Sequence, residues 1–353
     1  MAEHALVVGA SGITGAALVD ELLSAGHRVT GVARRAHQRE GMDFVQADLT
    51  DSVGVAQALA GVKPTWVFFT TWARQATEAQ NIEVNGAMVR HVLQALGGSG
   101  SVRHVGLVTG LKHYLGPFEA YGKGSLPQTP FRESQGRLDV ANFYYAQEDE
   151  VFAAAEQAGF SWSVHRPHTV IGVAPGNAMN MATTLAVYAS LCKAQGRPFV
   201  FPGSRVQWDS LTDMTDAHQL AKQVVWAAST PGAANQAFNI VNGDVFRWRW
   251  MWGRIAEWFG LPAADYPAEP QPLEQQMASD AEPWRQLVAR QGLAEANIER
   301  LVSPWHTDAD LGRPIEVVTD MSKSRGLGFT AYTATDEAFF QAFERLRAAR
   351  LIP

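Results

Sequence analysis

The sequence predicts an α/β protein, a doubly wound parallel sheet of the Rossmann type carrying a smaller, mostly helical C-terminal cap. Three observations predict it. A glycine-spaced loop joins an apolar run to an amphipathic stretch at the N-terminus. Apolar runs then alternate strictly with helical stretches as far as Pro167, and beyond it the pattern changes to loops, helices and aromatic clusters.

Taken in order, Ala5 to Val8 reads as the first strand and Ala16 to Ala25 as the helix after it. Between them Gly9, Ser11, Gly12, Ile13 and Gly15 make a Gly-x-x-Gly-x-x-Gly loop. Its glycines permit a tight turn, close approach of backbone to a pyrophosphate and close packing of helix on strand. The second strand, His27 to Ala33, ends in Arg34 and Arg35. A dinucleotide lacking the 2′-phosphate needs a carboxylate there to accept from ribose hydroxyls. Two guanidiniums suit a 2′-phosphate instead, so the expected cofactor is NADP(H).

The third strand, Asp43 to Leu49, carries Asp48, placed to meet an adenine amino group. The fourth, Trp66 to Ala73, is apolar enough to be buried on both faces. A helix (Glu83 to Leu96), a strand (Val105 to Thr109), a helix from about Tyr145 to Ala158 and a strand (Ser161 to Pro167) complete the alternation. In such sheets the ligand lies at the carboxyl ends of the strands. A loop over 172–180, a helix to about Gln195, a late strand from Phe238, a tryptophan-rich helix (Phe246 to Phe259) and a final amphipathic helix (Asp336 to Arg350) follow. The tryptophans are expected to pack the cap. The cofactor domain spans 1–172, with 205–243 returning to it, and 173–204 with 244–353 forms the cap.

Composition excludes several classes of function. A net charge of -6 leaves no basic field for a nucleic acid. No window approaches the roughly 18 apolar residues of a membrane span, and the N-terminus does not read as a secretory signal. The single cysteine, Cys192, rules out an intrachain disulfide and any multi-cysteine metal site. No histidine pair has zinc spacing, so no metal is expected. A cytoplasmic protein is expected.

The chemistry should lie in the polar turn after the fifth strand, where Lys112, His113, Tyr114 and Phe118 fall within seven residues. Short-chain dehydrogenases usually carry Tyr-x-x-x-Lys on one helix, which stacks both side chains on one face. None of the seven tyrosines here has a lysine four residues on. Either the chain is catalytically silent or the lysine comes from elsewhere. Lys112 can supply it, paired with Tyr144 or Tyr145 at the start of the helix before the sixth strand.

The segments 109–119, 142–149, 163–167 and 242–248 resemble the progesterone 5β-reductase and iridoid synthase family, a divergent branch of the short-chain dehydrogenases, and the similarity spans essentially the whole chain. The resemblance implies the extended short-chain dehydrogenase fold and NADPH-dependent reduction of the activated carbon-carbon double bond of a small hydrophobic enone. It implies Lys112 and Tyr144 as the active pair. Cofactor contacts fall on the glycine loop, Arg34, Arg35, Asp48, Leu49, Thr71, Trp72, Pro167 and Val170, with Lys112 and Tyr144. Substrate contacts fall on Trp72, Phe118, Tyr145, Met179, Asn180 and Phe339. The smaller residues of 173–179 leave the substrate open. Carbonyl or alcohol oxidoreduction, sugar epimerisation and a non-catalytic NADP(H) sensor are the competing readings, and a homodimer is a possible assembly.

Overall fold

Side-chain alternation along the first strand decides the layering. In β1 (His4–Val8), Ala5 and Val7 face one helical layer while Leu6 and Val8 face the other, and all four are fully buried. A strand buried on both faces must be apolar throughout, which is why the run shows no polar alternation. The computed structural model describes residues 2–36, 38–117, 127–177 and 179–353.

After β1 come α1 (Ile13–Ser24), β2 (Arg28–Ala33), β3 (Met42–Gln46), α2 (Ser52–Leu59), β4 (Trp66–Phe69), α3 (Glu78–Gly97), β5 (His104–Val108), α4 (Lys112–Leu115), α5 (Phe143–Ala158) and β6 (Ser161–Pro167). The chain continues through β7 (Val170–Ile171), α6 (Met181–Gln195), α7 (Arg205–Asp209), β8 (Thr215–Asp216), α8 (Ala217–Ser229) and β9 (Gln236–Ile240). Seven strands form one parallel sheet in the order β3-β2-β1-β4-β5-β6-β9, and β7 pairs with β8 outside it. The order reverses between β1 and β4, the crevice where such sheets take ligands. One face packs on α1 and α8 through Leu18, Leu22, Leu220 and Val224. The other packs on α2, α3 and α5 through Leu59, Val89, Val92 and Val151.

Local chemistry sets the element ends. The fourth strand stops at Phe69 rather than Ala73, because Thr70 N–H makes the last bond to Val8 before the chain turns away. The helix expected from Glu83 begins at Glu78, where the Thr77 hydroxyl accepts from Gln80 N–H. Asn142 caps α5 by accepting from Tyr144 N–H, and Gly159 in the left-handed region (φ 76°) ends it.

The cap is built from α6 with α9 (Trp248–Phe259), α10 (Leu273–Gln276), α11 (Ala281–Gln291), α12 (Pro304–Leu311) and α14 (Thr335–Ala348). Its aromatic core centres on Trp252, which stacks on Phe199 at 4.1 Å and donates from Nε1 to the Phe199 carbonyl. The tryptophan-rich helix is therefore a packing element, with Trp248 and Trp252 inward and Trp250 exposed. One part of 244–353 does not belong to the cap. Residues 315–329, including α13 (Ser322–Gly326), return to the sheet. Thr319 bridges to Phe131, Lys323 donates to the Ala237 carbonyl of β9, and Met321 and Phe329 join the core beneath α8.

Candidate active site

The carboxyl ends of β1, β2, β4, β5 and β6 open into one cleft of about 820 Å³, whose far wall comes from the cap. That volume is within the ~300–1,000 Å³ usual for ligand pockets. Gly9 opens the loop with φ at 94°, and a Cβ there would lie 2.7 Å from the Thr71 Cβ. Gly15 does not line the cleft. A Cβ on it would sit 2.1 Å from the Gly9 carbonyl oxygen, so it lets α1 pack against the loop. No side chain caps α1 at Gly12, which leaves its first amides toward the cleft beside Ser11, Ile13 and Thr14. Such an uncapped helix start suits a pyrophosphate.

Arg34 and Arg35 follow β2 at the cleft rim, both exposed, and Asp48 and Leu49 lie beside them on the segment after the neighbouring strand β3. The Asp48 carboxylate accepts from Thr50 N–H and hydroxyl, which with Arg34 nearby hold its pKa below the usual range despite partial burial. Thr71, Trp72, Pro167 and Val170 line the centre. The residues present therefore fit a dinucleotide: a phosphate cradle, cations at the end of β2 and an acidic group beside them.

Lys112 and Tyr144 both line this cleft although they come from separate segments. After β5, Thr109 N–H still pairs with the His165 carbonyl, and the chain then coils into α4, a single helical turn that starts with Lys112. The expected turn is thus one turn of helix, closed by Gly116 at φ 74°. The Lys112 ammonium lies 4.9 Å from the Phe143 ring centre and 5.5 Å from that of Trp72, and these two rings stack on each other. Tyr144 lies over the end of β5, so that a Cβ at Gly110 would come within 3.4 Å of its hydroxyl. Burial first, and the Glu78 carboxylate second, push the Tyr144 phenol above its ordinary pKa. It is a neutral O–H donor across the physiological range.

Asn142 joins the two residues. Its Nδ2 donates to the Lys112 carbonyl at 2.8 Å while its Oδ1 accepts from Tyr144 N–H at 3.0 Å. Sequence reasoning took Asn142 only as part of a motif. The signal for its role was its position directly before a helix.

Three residues expected at the substrate are placed elsewhere. Tyr145 donates to the His113 carbonyl at 2.7 Å and accepts from Leu138 N–H, so it anchors loops below the cleft. Asn180 caps α6 and donates to the Gly172 carbonyl while buried. Phe339 is fully buried in the cap core with Trp248 and Phe343, because the apolar face of α14 (Ala338, Phe339, Ala342, Phe343, Leu346) turns inward. Met179 lines the cleft. Phe118 lies outside the described residues. His113 is buried, donates from Nε2 to the Gln135 carbonyl and has its pKa pushed down to about 4, chiefly by burial and then by Arg166. Tyr114 donates to Asn239, and Arg166 binds Tyr114 and pairs with Glu148. Arg166 stands near the carboxyl end of β6 and ties α4 to α5 there.

Sequence reasoning missed the polar residues of the cap wall, His306, Asp310 and Arg313, together with His168 on the sheet side. Among the described residues no cluster could hold a metal, and no helix is long and apolar enough to cross a membrane.

Comparison with known proteins agrees with this architecture. Solved structures similar over nearly the full chain include a UDP-glucose 4-epimerase from Thermotoga maritima (TM-score 0.68, 15% identity, 98% of this chain and 99% of that one). Another is the Bordetella bronchiseptica enzyme WbmG, solved with NAD and UDP (TM-score 0.67, 16% identity, 100% and 97%). At such identities they establish the fold alone. Two plant relatives are much more similar in sequence. An (S)-8-oxocitronellyl enol synthase from Camptotheca acuminata and a 3-oxo-Δ(4,5)-steroid 5β-reductase from Arabidopsis thaliana are each 35% identical, over 99% of this chain and 93% of the relative. The model of the PRISE-like Rossmann-fold domain matches residues 40–353. With that match and those relatives, the chain belongs to the PRISE-like Rossmann-fold family, that of the progesterone 5β-reductases and iridoid synthases.

Proposed function

We propose that the chain is an NADPH-dependent enone reductase, saturating the carbon-carbon double bond of α,β-unsaturated carbonyl compounds. Family membership supports an oxidoreductase with a nicotinamide cofactor, and Arg34 and Arg35 support the phosphorylated form. When bound, NADPH supplies a hydride to the β-carbon of the enone. As negative charge builds on the carbonyl oxygen, Tyr144 donates a hydrogen bond to it. Its raised pKa keeps the proton on the phenol, so the group serves as a donor and not as a base, and the enolate takes the proton for its α-carbon from solvent to give the saturated carbonyl compound. Lys112, held over Trp72 and Phe143, stabilises the same charge electrostatically. Trp72 and Met179 exclude water from one side of the enone. The single buried cysteine suits the reducing cytoplasm.

The observation that carries this reading is the meeting of Lys112 and Tyr144 in one cleft, joined through Asn142, in a chain with no Tyr-x-x-x-Lys. Incubation with 2-cyclohexen-1-one and NADPH tests it: the product is the saturated ketone, and an allylic alcohol would overturn the reading. Tyr144→Phe lowers kcat about 10²–10³-fold, or ~2.7–4 kcal/mol of barrier, with NADPH affinity within twofold of the parent. Undiminished kcat at saturating NADPH would remove Tyr144 from the chemistry.

A further inference from the structure

The cap wall of the cleft is polar, and a buried chain of hydrogen bonds fixes it. The His168 ring meets Asp213 through Nδ1 at 2.9 Å and Arg313 through Nε2 at 2.9 Å. A guanidinium only donates, so Nε2 accepts and the imidazole proton sits on Nδ1, facing Asp213. Arg313 Nε donates in turn to the Asp310 carbonyl, and the Asp310 carboxylate accepts from the Thr169 hydroxyl at 2.7 Å. These contacts clamp α12 onto the loop after β6. The Arg74 guanidinium, on the segment after β4, lies 3.8 Å from the Trp305 ring centre and so clasps the same helix a second time.

Between the two clasps stands His306, which lines the cleft. Burial lowers its pKa first; Asp310 opposes the shift, and Arg313, Arg74 and Lys112 add to it. The lowered pKa favours the neutral imidazole, whose ring nitrogens donate or accept according to tautomer, and Lys112 is among the charges that act on it. The Arg313 charge in this wall is already balanced by Asp310 at 3.6 Å, so the wall is not built for a free anion. A pure hydrocarbon would displace water from imidazole, carboxylate and guanidinium without replacing its hydrogen bonds.

We infer that His306 determines substrate specificity by hydrogen-bonding a second, uncharged oxygen of the substrate, a hydroxyl or carbonyl remote from the one that Tyr144 receives. The inference rests on the enone-reductase reading. Its test compares kcat/KM for 4-hydroxy-2-cyclohexen-1-one and 2-cyclohexen-1-one in the parent, His306→Phe and His306→Ala. Taking the ratio within each protein cancels the intrinsic reactivity of the two enones. That ratio falls about tenfold in both variants, the value of one hydrogen bond between site and substrate, and if the Phe variant fails to fold the Ala variant alone decides. A ratio unchanged within twofold overturns the role of His306 and leaves the enone reading standing. Reduction of neither compound by the parent overturns both.

Discussion

The two walls of the cleft are made differently. The sheet wall is assembled from strand ends, each carrying cleft-lining residues within a few positions of the last ladder bond: Gly9 after β1, Arg34 after β2, Thr71 after β4, Lys112 after β5 and Pro167 in β6. The cap wall comes chiefly from one helix, with His306, Asp310 and Arg313 spaced four and three residues apart along one face of α12 and just past its end. His306, Asp310 and Arg313 reach it only because α12 is clamped to the loop after β6 by long-range bonds, such as His168 to Arg313 across 145 residues. A parallel sheet thus delivers cofactor chemistry as a consequence of its topology, whereas the cap can change what it presents by altering a few residues on one helix. On the proposed reading, substrate choice belongs to the wall that the sheet does not dictate.

Weakening the cap core alone sets the two walls against each other most directly. Trp252 is fully buried, stacked on Phe199, edge-on to Phe201, and outside the cleft. Trp252→Ala should cost about 3–5 kcal/mol of stability by urea denaturation. At temperatures where the variant stays folded, NADPH affinity should remain within twofold of the parent by fluorescence titration. A proportionate loss of NADPH binding would mean that the two walls stand or fall together.

The sheet has its own vulnerability, which is acid. His104 and His165 are buried in β5 and β6, joined through the Ser163 hydroxyl, and His165 also meets Gln223. Burial pushes their pKa values down to about 3 and about 4, with His165 adding to the shift of His104 and the Gln223 bond opposing that of His165. Both lie below the ordinary value near 6.5. The unfolded chain therefore takes up protons that the fold refuses. Stability is complete above about pH 6.5 and falls as the pH drops toward 4, by up to ~1.4 kcal/mol per pH unit for each histidine. Urea midpoints measured from pH 7 to 4 check the slope, and His165→Gln should flatten it.

Much of the sheet wall was legible in the sequence because parallel strands buried on both faces leave unbroken apolar runs, and glycine spacing marks the first turn. The Lys112 segment was legible by elimination, once no tyrosine had a lysine four residues on. The cap was not. Phe339 carries the same apolar signal whether it lines a pocket or fills a core, and only the packing of α14 against α9 decides between them. Tyr145 next to Tyr144 is equally ambiguous, because two adjacent helical residues differ by about 100° in direction and the sequence does not say which one faces the cleft. His306, Asp310 and Arg313 share helical spacing, but nothing local says what that face meets, since their partners lie far away in the chain.

At the rim of the sheet wall, Arg34→Ala bears on which cofactor the wall was built for. One charge-assisted contact to the 2′-phosphate is worth roughly 1.5–3 kcal/mol. KM for NADPH should rise by one to two orders of magnitude while KM for NADH stays unchanged. Equal effects on both cofactors would place Arg34 away from the 2′ position.

A finer effect is expected at the joint inside the sheet wall. Asn142 does two things at once: it caps α5, and it ties the Lys112 carbonyl to the Tyr144 amide. Loss of a cap of this kind costs about 1 kcal/mol of stability. If Asn142 were only a cap, Asn142→Asp would restore function, since a carboxylate caps a helix as well as an amide does. An aspartate accepts from Tyr144 N–H but has no proton to give the Lys112 carbonyl, and it adds a negative charge beside the lysine's own turn. Asn142→Asp should therefore keep the cap but lower the melting temperature, because a buried carboxylate oxygen would face the Lys112 carbonyl, and lower kcat severalfold, with KM for NADPH little changed. Recovery of both stability and kcat in the aspartate variant would reduce Asn142 to a helix cap, and Lys112 and Tyr144 would then owe their meeting to the sheet alone.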